Sequence, residues 1–222
     1  MDIKTILNNI KEELPQGTRL VAVSKFHPAE AIKEAYDAGQ RIFGESKAQE
    51  LEEKHKILPE DIEWHFIGHL QTNKVKYIAP YVAMIHAVDS YKLLEEINKQ
   101  AAKNNRVIPC LLEIHIANED SKFGLSIDEC RELLKEGKWK TLDNISICGI
   151  MGMATNTDDT NIIEKEFITL QSLFNELKSE YFINDDSFRE ISMGMSDDYR
   201  LAIKHGSTLI RIGSKIFGTR NY

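Results

Sequence analysis

The chain has 222 residues, of which 42% are hydrophobic and 28% charged, a balance typical of globular proteins that argues against a disordered chain. Its formal net charge of -7 leaves no overall basic surface for a nucleic-acid backbone. Single α/β barrels commonly have roughly 200–250 residues, so we expect one domain spanning residues 1–222.

The N-terminal segment and the cysteines predict the cellular compartment. Residues 1–14 place charged side chains among apolar ones and so lack the continuous apolar stretch of a signal peptide. No segment is long and apolar enough to span a bilayer. Cys110, Cys130 and Cys148 lie far apart without a CxxC pair, which argues against a disulfide framework and a zinc ribbon. We therefore expect a cytoplasmic protein with reduced, mostly buried thiols and no membrane or nucleic-acid partner.

Short apolar, β-branched segments alternate with helix-like segments along the chain, beginning with a helix predicted over residues 3–14. Further helices have recognisable start signals. These are Pro28 for a helix over residues 29–37, Ser126 with Glu129 for a capping box, and Asn161 with Glu164 for an Asn-headed variant. The predicted strands are Leu20–Val23, Arg41–Phe43, Glu63–Ile67, Met84–Ala87, Ile108–Ile116, Ile145–Ile150, Glu190–Ser192 and Thr208–Ile212.

Eight strands with helices between them predict a parallel α/β fold. Parallel pairing needs helical crossovers, and apolar strands imply burial on both faces, which leaves a closed barrel or an open doubly wound sheet. Eight strands close a barrel, and no GxGxxG follows the first strand, which disfavours a dinucleotide-binding open sheet. The predicted fold is therefore a single (β/α)8 TIM barrel.

The site of such a barrel lies where its strands end and the βα loops begin. Polar or small residues follow most of the predicted strands at this position. They are Ser24 and Lys25, Gly44 to Ser46, Gly68 and His69, Asp89, Met151 to Met153, residues 192–196 and residues 211–214.

Lys25 directly follows an apolar strand, which places its amine at the rim of an apolar wall. Desolvation there would lower the pKa of the amine and make it nucleophilic toward an aldehyde. The alternative is a surface lysine that only ends a strand, because buried lysines are rare.

The loops after the last two predicted strands have the features of a barrel phosphate site. Their glycines permit close backbone approach, and Ser196 stands where an N-cap would begin a helix running through residues 198–205. Turn formation and helix capping alone are the alternative explanation. The residues expected at this site are Gly194, Ser196, Gly213, Ser214 and Thr219.

Arg211 alternates with Ile210 and Ile212 and therefore needs a partner inside the barrel. One alternative is a structural ion pair with Glu190 or Glu45. The other is a contact with a heteroaromatic nitrogen or an anionic ligand.

The pair His65 and His69 has the i, i+4 spacing of a helical zinc site. The residues between them predict strand and turn, and no third ligand is indicated, so we expect no metal site.

Several segments, in order along nearly the whole chain, carry a family resemblance. They are Val21 to Lys25, Phe43 to Glu45 with Gln49 and Glu50, Trp64 to Lys74, Ser192 to Asp198 and Thr208 to Tyr222. With these segments the sequence resembles the pyridoxal-phosphate homeostasis protein family, also called proline synthetase co-transcribed homologues. The resemblance implies a fold-type III barrel like the N-terminal domain of alanine racemase, holding pyridoxal 5′-phosphate as a Schiff base on Lys25.

The resemblance also implies roles for four other residues. Ser196, Gly213 and the backbone around Ser214 match phosphate-binding positions, and Arg211 matches an arginine facing the pyridine nitrogen of the cofactor. A guanidinium there keeps the nitrogen unprotonated and weakens the ring as an electron sink.

The sequence departs from the usual family pattern at a few positions, of which Ser46 bears most on the cofactor because a shorter side chain could lose a polar contact to it. Ser46 and Lys47 stand where the family commonly has Asn and Tyr, His115 where it has Asn, and Ser214 where it has Thr.

The expected function is a non-catalytic, monomeric binding module that buffers pyridoxal phosphate or delivers it to pyridoxal-phosphate-dependent apo-enzymes. The first alternative is an enzyme, either an amino-acid racemase or a Schiff-base aldolase acting on a sugar phosphate. Racemases of this fold type add a C-terminal β-domain, whereas this chain ends at Tyr222. An aldolase would use the same lysine without a cofactor, so the colour of the purified protein separates it from a pyridoxal-phosphate protein. A structural interaction protein is the third class and predicts neither colour nor a reactive lysine.

Overall fold

In a computed structural model that describes residues 2–118 and 123–218, the chain forms a closed barrel of eight parallel strands. Each strand pairs with the next, and β8 closes the barrel by pairing in parallel with β1. The predicted (β/α)8 barrel is confirmed. The strands are β1 Arg19–Val23, β2 Ile42–Glu45, β3 Glu63–Phe66, β4 Met84–Val88, β5 Ile108–Ile114, β6 Ile145–Gly152, β7 Glu190–Ser192 and β8 Leu209–Ile212.

Helices follow the strands and cover the outside of the barrel. They are α1 Ile3–Glu13, α2 Ala29–Asp37, α3 Ala48–Ile57, α4 Val75–Ile78, α5 Tyr91–Lys103, α6 Ile127–Glu136, α7 Thr160–Tyr181, α8 Tyr199–Lys204 and α9 Ser214–Phe217, with 3₁₀ turns at Thr72–Lys74 and Lys138–Thr141. Among the described residues, no helix has the length and apolar character needed to cross a membrane.

The capping predictions have mixed outcomes. The capping box of Ser126 and Glu129 is present at the start of α6. The Asn161 cap is wrong, because Asp159 is the N-cap of α7 and its carboxylate accepts the backbone N–H of Asn161. An aspartate at this position also complements the helix dipole, which favours the earlier start.

The predicted N-cap role of Ser196 is also wrong. The helix α8 begins at Tyr199, and Asp198 occupies the N-cap position. The backbone N–H of Tyr199 donates to the carbonyl oxygen of Met195 at 2.9 Å, so residues 196–198 form a turn before the helix. Ser196 therefore lies in the loop between β7 and α8.

The barrel wall separates two apolar layers. The larger layer lies between strands and helices and contains Phe43, Trp64 and Phe167. The smaller layer fills the barrel interior and contains Val21, Met84, Ala87, Leu111, Cys148, Met151 and Leu209. Strand alternation produces this division, because neighbouring residues face opposite sides of the wall.

One β-bulge interrupts the alternation in β6. Cys110 of β5 pairs with Ile147, whereas the next β5 residue, Leu111, pairs with Gly149, so β6 contains one extra residue. Cys148 and Met151, three positions apart, consequently both face the barrel interior. The cysteines Cys110, Cys130 and Cys148 are all unpaired and buried, which confirms that part of the sequence prediction.

Candidate functional site

Lys25 lies in a tight turn at the C-terminal end of β1, where its side chain is partly buried. The backbone N–H of His27 closes this turn on the carbonyl oxygen of Ser24 at 3.1 Å. Phe26 has a φ of 66°, a left-handed conformation that is unusual for a bulky residue. Such strain persists only where surrounding contacts hold it in place.

A buried lysine of α3 donates a hydrogen bond to the residue before Lys25. Lys54 donates hydrogen bonds to the carbonyl oxygen of Ser24 at 2.8 Å and to the carboxylates of Glu45 and Glu50, both at 2.7 Å. These contacts use all three ammonium protons. The residue before Lys25 is thereby fixed to the end of β2 and to α3.

The residue after Lys25 is fixed by the same cluster. The backbone N–H of Phe26 donates to Oε1 of Glu50 at 2.6 Å. The hydroxyl of Ser24 donates to Oε1 of Glu45, also at 2.6 Å. Burial raises the pKa of Glu45 to about 7, and the charge of Lys54 opposes that rise. The backbone of Lys25 is therefore held on both sides by one set of charges, of which Lys54 and Glu45 are buried and Glu50 is partly exposed.

Arg211 points into the barrel from β8 and is almost fully buried. It donates to the hydroxyl of Ser192 at 2.6 Å and to the carbonyl oxygen of Gly152 at 3.0 Å. Burial lowers its pKa to about 10, so the guanidinium stays charged at neutral pH. The alternative of an ion pair is wrong, because Glu190 pairs with Arg19 and Glu45 pairs with Lys54.

A chain of hydrogen bonds extends from Arg211 through the barrel interior. Nδ1 of His86 lies 2.9 Å from the Ser192 hydroxyl, and Nε2 of His86 lies 2.9 Å from Nδ1 of His65. Arginine only donates, so the serine proton is available for His86, whose Nε2–H can then donate to His65. Burial lowers the pKa of His65 to about 3 and that of His86 well below its usual value, which keeps both rings neutral.

The loops after β7 and β8 bring together the predicted phosphate residues. The hydroxyl of Ser214 donates to that of Ser196 at 3.0 Å. Gly213 packs against β1, because a Cβ there would lie 3.0 Å from the carbonyl oxygen of Val23. Gly194 has a φ of 93°, and its Cβ would lie 2.6 Å from that of Ala202. Thr219 lies outside the described residues.

The polar residues on the opposite side of the mouth include one that the sequence did not single out. Glu113, at the end of β5, is buried, and its Oε2 atom has no hydrogen-bond partner among the described residues. Burial raises its pKa to about 7, with a further contribution from the nearby charge of Asp89. The side chain of Asp89 in turn lies 3.1 Å from Nδ1 of His69.

The sequence analysis missed Glu113 because only residues that follow the predicted strands were considered, and Glu113 lies inside β5. His86 and Lys54 were missed for a related reason, since each lies within a regular element and not at its end. A polar residue inside an apolar strand was the available signal for Glu113 and His86, whereas nothing in the charged sequence of α3 distinguishes Lys54.

His65 and His69 do not form a metal site together, because they contact His86 and Asp89 respectively. Over residues 2–118 and 123–218, no three His, Cys, Asp or Glu side chains are grouped to hold a metal ion.

Two of the positions that depart from the family pattern lie beside the lysine turn. Lys47 places its ammonium 4.6 Å from the ring centroid of Phe26, a cation–π contact that covers the strained residue. Ser46 packs against the backbone of Gly68, where a Cβ would lie 2.6 Å from that of the serine.

Comparisons with known proteins identify the family. Residues 2–221 match the family described as alanine racemase, N-terminal domain. A protein of Pasteurella multocida named pyridoxal phosphate homeostasis protein is 38% identical, with 100% of this chain and 97% of that protein covered. The chain belongs to the pyridoxal phosphate homeostasis protein family. A protein of that name from Schizosaccharomyces pombe is 35% identical over 98% of this chain and 93% of its own length.

Solved structures agree with this assignment to the pyridoxal phosphate homeostasis protein family. PipY of Synechococcus elongatus, solved without pyridoxal phosphate, superposes with a TM-score of 0.90 at 34% identity, covering 98% of this chain and 100% of that chain. The same protein with pyridoxal phosphate bound gives 0.88 at 33% identity over the same shares. Alanine racemase of Bartonella henselae gives 0.71 at 18% identity, covering 99% of this chain and 60% of that one, and this likeness concerns the fold alone.

Proposed function

We propose that this protein binds pyridoxal 5′-phosphate and serves its homeostasis, with Lys25 holding the cofactor as a Schiff base and without catalytic turnover. The observation that carries the proposal is the pairing of β1 with β8. Through it, the strand end that presents Lys25 adjoins the strand end that presents Gly213 and Ser214. An amine and a hydroxyl-rich loop at adjacent strand ends match the two ends of a phosphorylated aldehyde.

The residues present fit such a group. The hydroxyls of Ser196 and Ser214 and the backbone N–H groups of their loops are the donors that a phosphate accepts from. The buried guanidinium of Arg211 lies inside the barrel on the same strand as Gly213, where it would face the ring nitrogen. Two relatives named pyridoxal phosphate homeostasis protein and the PipY structure with pyridoxal phosphate bound support the assignment.

The chemistry of the bound cofactor would be an electrophilic aldehyde. The protein would contribute an amine at Lys25, whose backbone is held by the contacts of Glu50 and Lys54 with the neighbouring residues. Arg211 would keep its own proton, because its pKa of about 10 lies well above neutral pH. A guanidinium beside the ring nitrogen of a bound cofactor would disfavour protonation of that nitrogen and so the reactions that need a strong electron sink.

The remaining expectations are part of the same proposal. Three buried, unpaired cysteines are consistent with a cytoplasmic protein. Its monomeric state and the delivery of pyridoxal phosphate to apo-enzymes stay predictions.

The deciding experiment uses the visible spectrum of the purified protein. After reconstitution with pyridoxal phosphate, we expect an absorbance band that borohydride abolishes, with the reduced adduct mapped to Lys25 by peptide mass spectrometry. Lys25→Ala should show no band, whereas Lys74→Ala, at another position on the mouth side, should match the wild type. An adduct on a different lysine, or none, contradicts the proposal.

A second measurement tests the absence of catalysis. Cα deuterium exchange and chiral chromatography over a panel of L-amino acids should show neither multiple-turnover exchange nor inversion. Steady exchange that is lost in Lys25→Ala would favour the racemase alternative.

A further inference from the structure

A recess of about 170 Å³ opens at the barrel mouth between the ends of β5, β6 and β7. It lies across the mouth from β1, and none of its lining side chains is among those proposed to bind pyridoxal phosphate. Ligand pockets for drug-sized molecules have roughly 300–1,000 Å³, so a recess of this size suits a smaller molecule.

The rim of the recess is apolar and exposed. Phe123, Met153 and Met195 all line it, and their exposed fractions are 44%, 40% and 37%. Large apolar side chains grouped in this way at a concave surface are typical of ligand sites. Methionine in particular adapts its shape to different apolar partners.

The acidic residue that lines the recess is Glu113. This residue is only 5% exposed and carries the Oε2 atom without a partner among the described residues. A buried carboxyl group without a hydrogen-bond donor is unfavourable, and a ligand that supplies the donor removes that cost.

The surrounding charges favour a cation as that donor. Asp89 acts on Glu113 as a second negative charge, and Arg211 acts as a positive one that already binds Ser192 and Gly152. An anionic ligand would meet the carboxyl group of Glu113 here, and the nearby charge of Asp89 would add to the repulsion. A metal ion would find too few ligands, because no group of three metal-binding side chains occurs in the part of the chain that the structure describes.

We propose that the recess is a second ligand site, which binds a small primary amine or amino acid with its ammonium on Glu113 and its apolar body against Phe123, Met153 and Met195. The site places an amino compound in the same mouth as Lys25. This inference goes beyond the binding of pyridoxal phosphate and does not require it.

The test is calorimetric titration of the borohydride-treated protein, in which the probe cannot exchange with a lysine-bound aldehyde. The probes are n-butylamine, L-norleucine and pentanoate at pH 8. We expect n-butylamine to bind at least about tenfold more tightly than pentanoate. Tighter binding of L-norleucine than of n-butylamine would indicate that the ligands are amino acids. Weaker binding would indicate simple amines.

Three variants complete the test. Glu113→Gln keeps the shape of the side chain and should weaken n-butylamine binding at least about tenfold, whereas Glu132→Gln, with the same charge change on the exposed face of α6, should leave it unchanged. Met153→Ala should weaken it severalfold through lost apolar contact.

The proposal is overturned if no amine binds, if pentanoate binds as tightly as n-butylamine, or if Glu113→Gln binds the amine like the wild type. Because the treated protein can be titrated whether or not it holds pyridoxal phosphate, failure here is distinguishable from failure of the lysine assignment.

Discussion

Lys54 donates a 2.8 Å hydrogen bond to the carbonyl oxygen of Ser24, the residue that precedes Lys25. The contact joins α3 to the end of β1 across the wall of the barrel. Because the ammonium also neutralises the buried carboxylate of Glu45, the position of Lys25 and the stability of the barrel depend on the same side chain.

Replacement of Lys54 by methionine should therefore destabilise the protein strongly. It would leave Glu45 buried without its cation, a change that typically costs about 3–5 kcal/mol. Lys56→Met is the matched control on the same helix, because Lys56 pairs with Glu52 near the surface and such pairs contribute less than about 1 kcal/mol. Urea unfolding measures both variants, and equal stabilities would refute the structural role of Lys54.

Ser192→Ala should lower the unfolding free energy, because it breaks the hydrogen-bond chain that begins at Arg211. The variant removes the acceptor at 2.6 Å from the guanidinium and the hydroxyl next to His86. A bond to a buried charged group contributes roughly 1.5–3 kcal/mol, so we expect a loss of unfolding free energy of that size. Ser179→Ala on α7, whose hydroxyl bonds an exposed carbonyl oxygen, should change it by less than about 0.5 kcal/mol. A Ser192→Ala protein as stable as this control would contradict the prediction.

Glu113→Gln should alter how stability depends on pH. The folded-state pKa of about 7 lies above the ordinary value of 4.5, so the folded protein binds the proton more tightly than the unfolded chain. Wild-type stability therefore falls as pH rises from about 4.5 through about 7, and the neutral glutamine removes that contribution. The variant should gain on the wild type across this window, by about 1–3 kcal/mol at its upper end. Denaturant unfolding at pH 4.5, 6 and 8 gives the measurement, and a constant difference would contradict it.

Ser196→Ala should weaken retention of pyridoxal phosphate roughly tenfold or more through loss of a hydroxyl donor to phosphate. Equilibrium dialysis provides the measurement, with Ser179→Ala as the control. Gly213→Val is a poorer test, because the new Cβ would press on the carbonyl oxygen of Val23, two residues before Lys25. Unchanged retention in Ser196→Ala would place the phosphate elsewhere.

The sequence was sufficient for the barrel because apolar strands and intervening helices recur with a regular spacing. It was also sufficient to place Lys25, Arg211, Gly213 and Ser214 at strand ends, since a strand followed by a glycine or a charge is visible in the letters alone. The corrected Ser196 cap shows a limit of local reasoning. A serine before two aspartates predicts a cap, yet the backbone turn at Met195 moves the N-cap by two residues, from Ser196 to Asp198.

Long-range contacts set the other limit. Glu113 and His86 are isolated polar residues within apolar strands, whereas Lys54 is one of several charged residues of a polar helix. Only the folded barrel shows that Lys54 is fully hydrogen-bonded, that His86 bridges two strands' side chains, and that an oxygen of Glu113 has no partner among the described residues.

The bulge in β6 changes which of the following residues face the barrel interior. Without the bulge, strict alternation from Cys148 would place Ile150 in the barrel interior. With the extra residue, Ile150 faces the helices and Met151 faces the interior. Gly149 permits the shift, because a Cβ there would lie 1.8 Å from the carbonyl oxygen of Glu190. The extra residue in the barrel wall therefore decides which side chains of β6 face the interior near the mouth. Removing it would turn a different set of side chains inward without a substitution at the mouth itself.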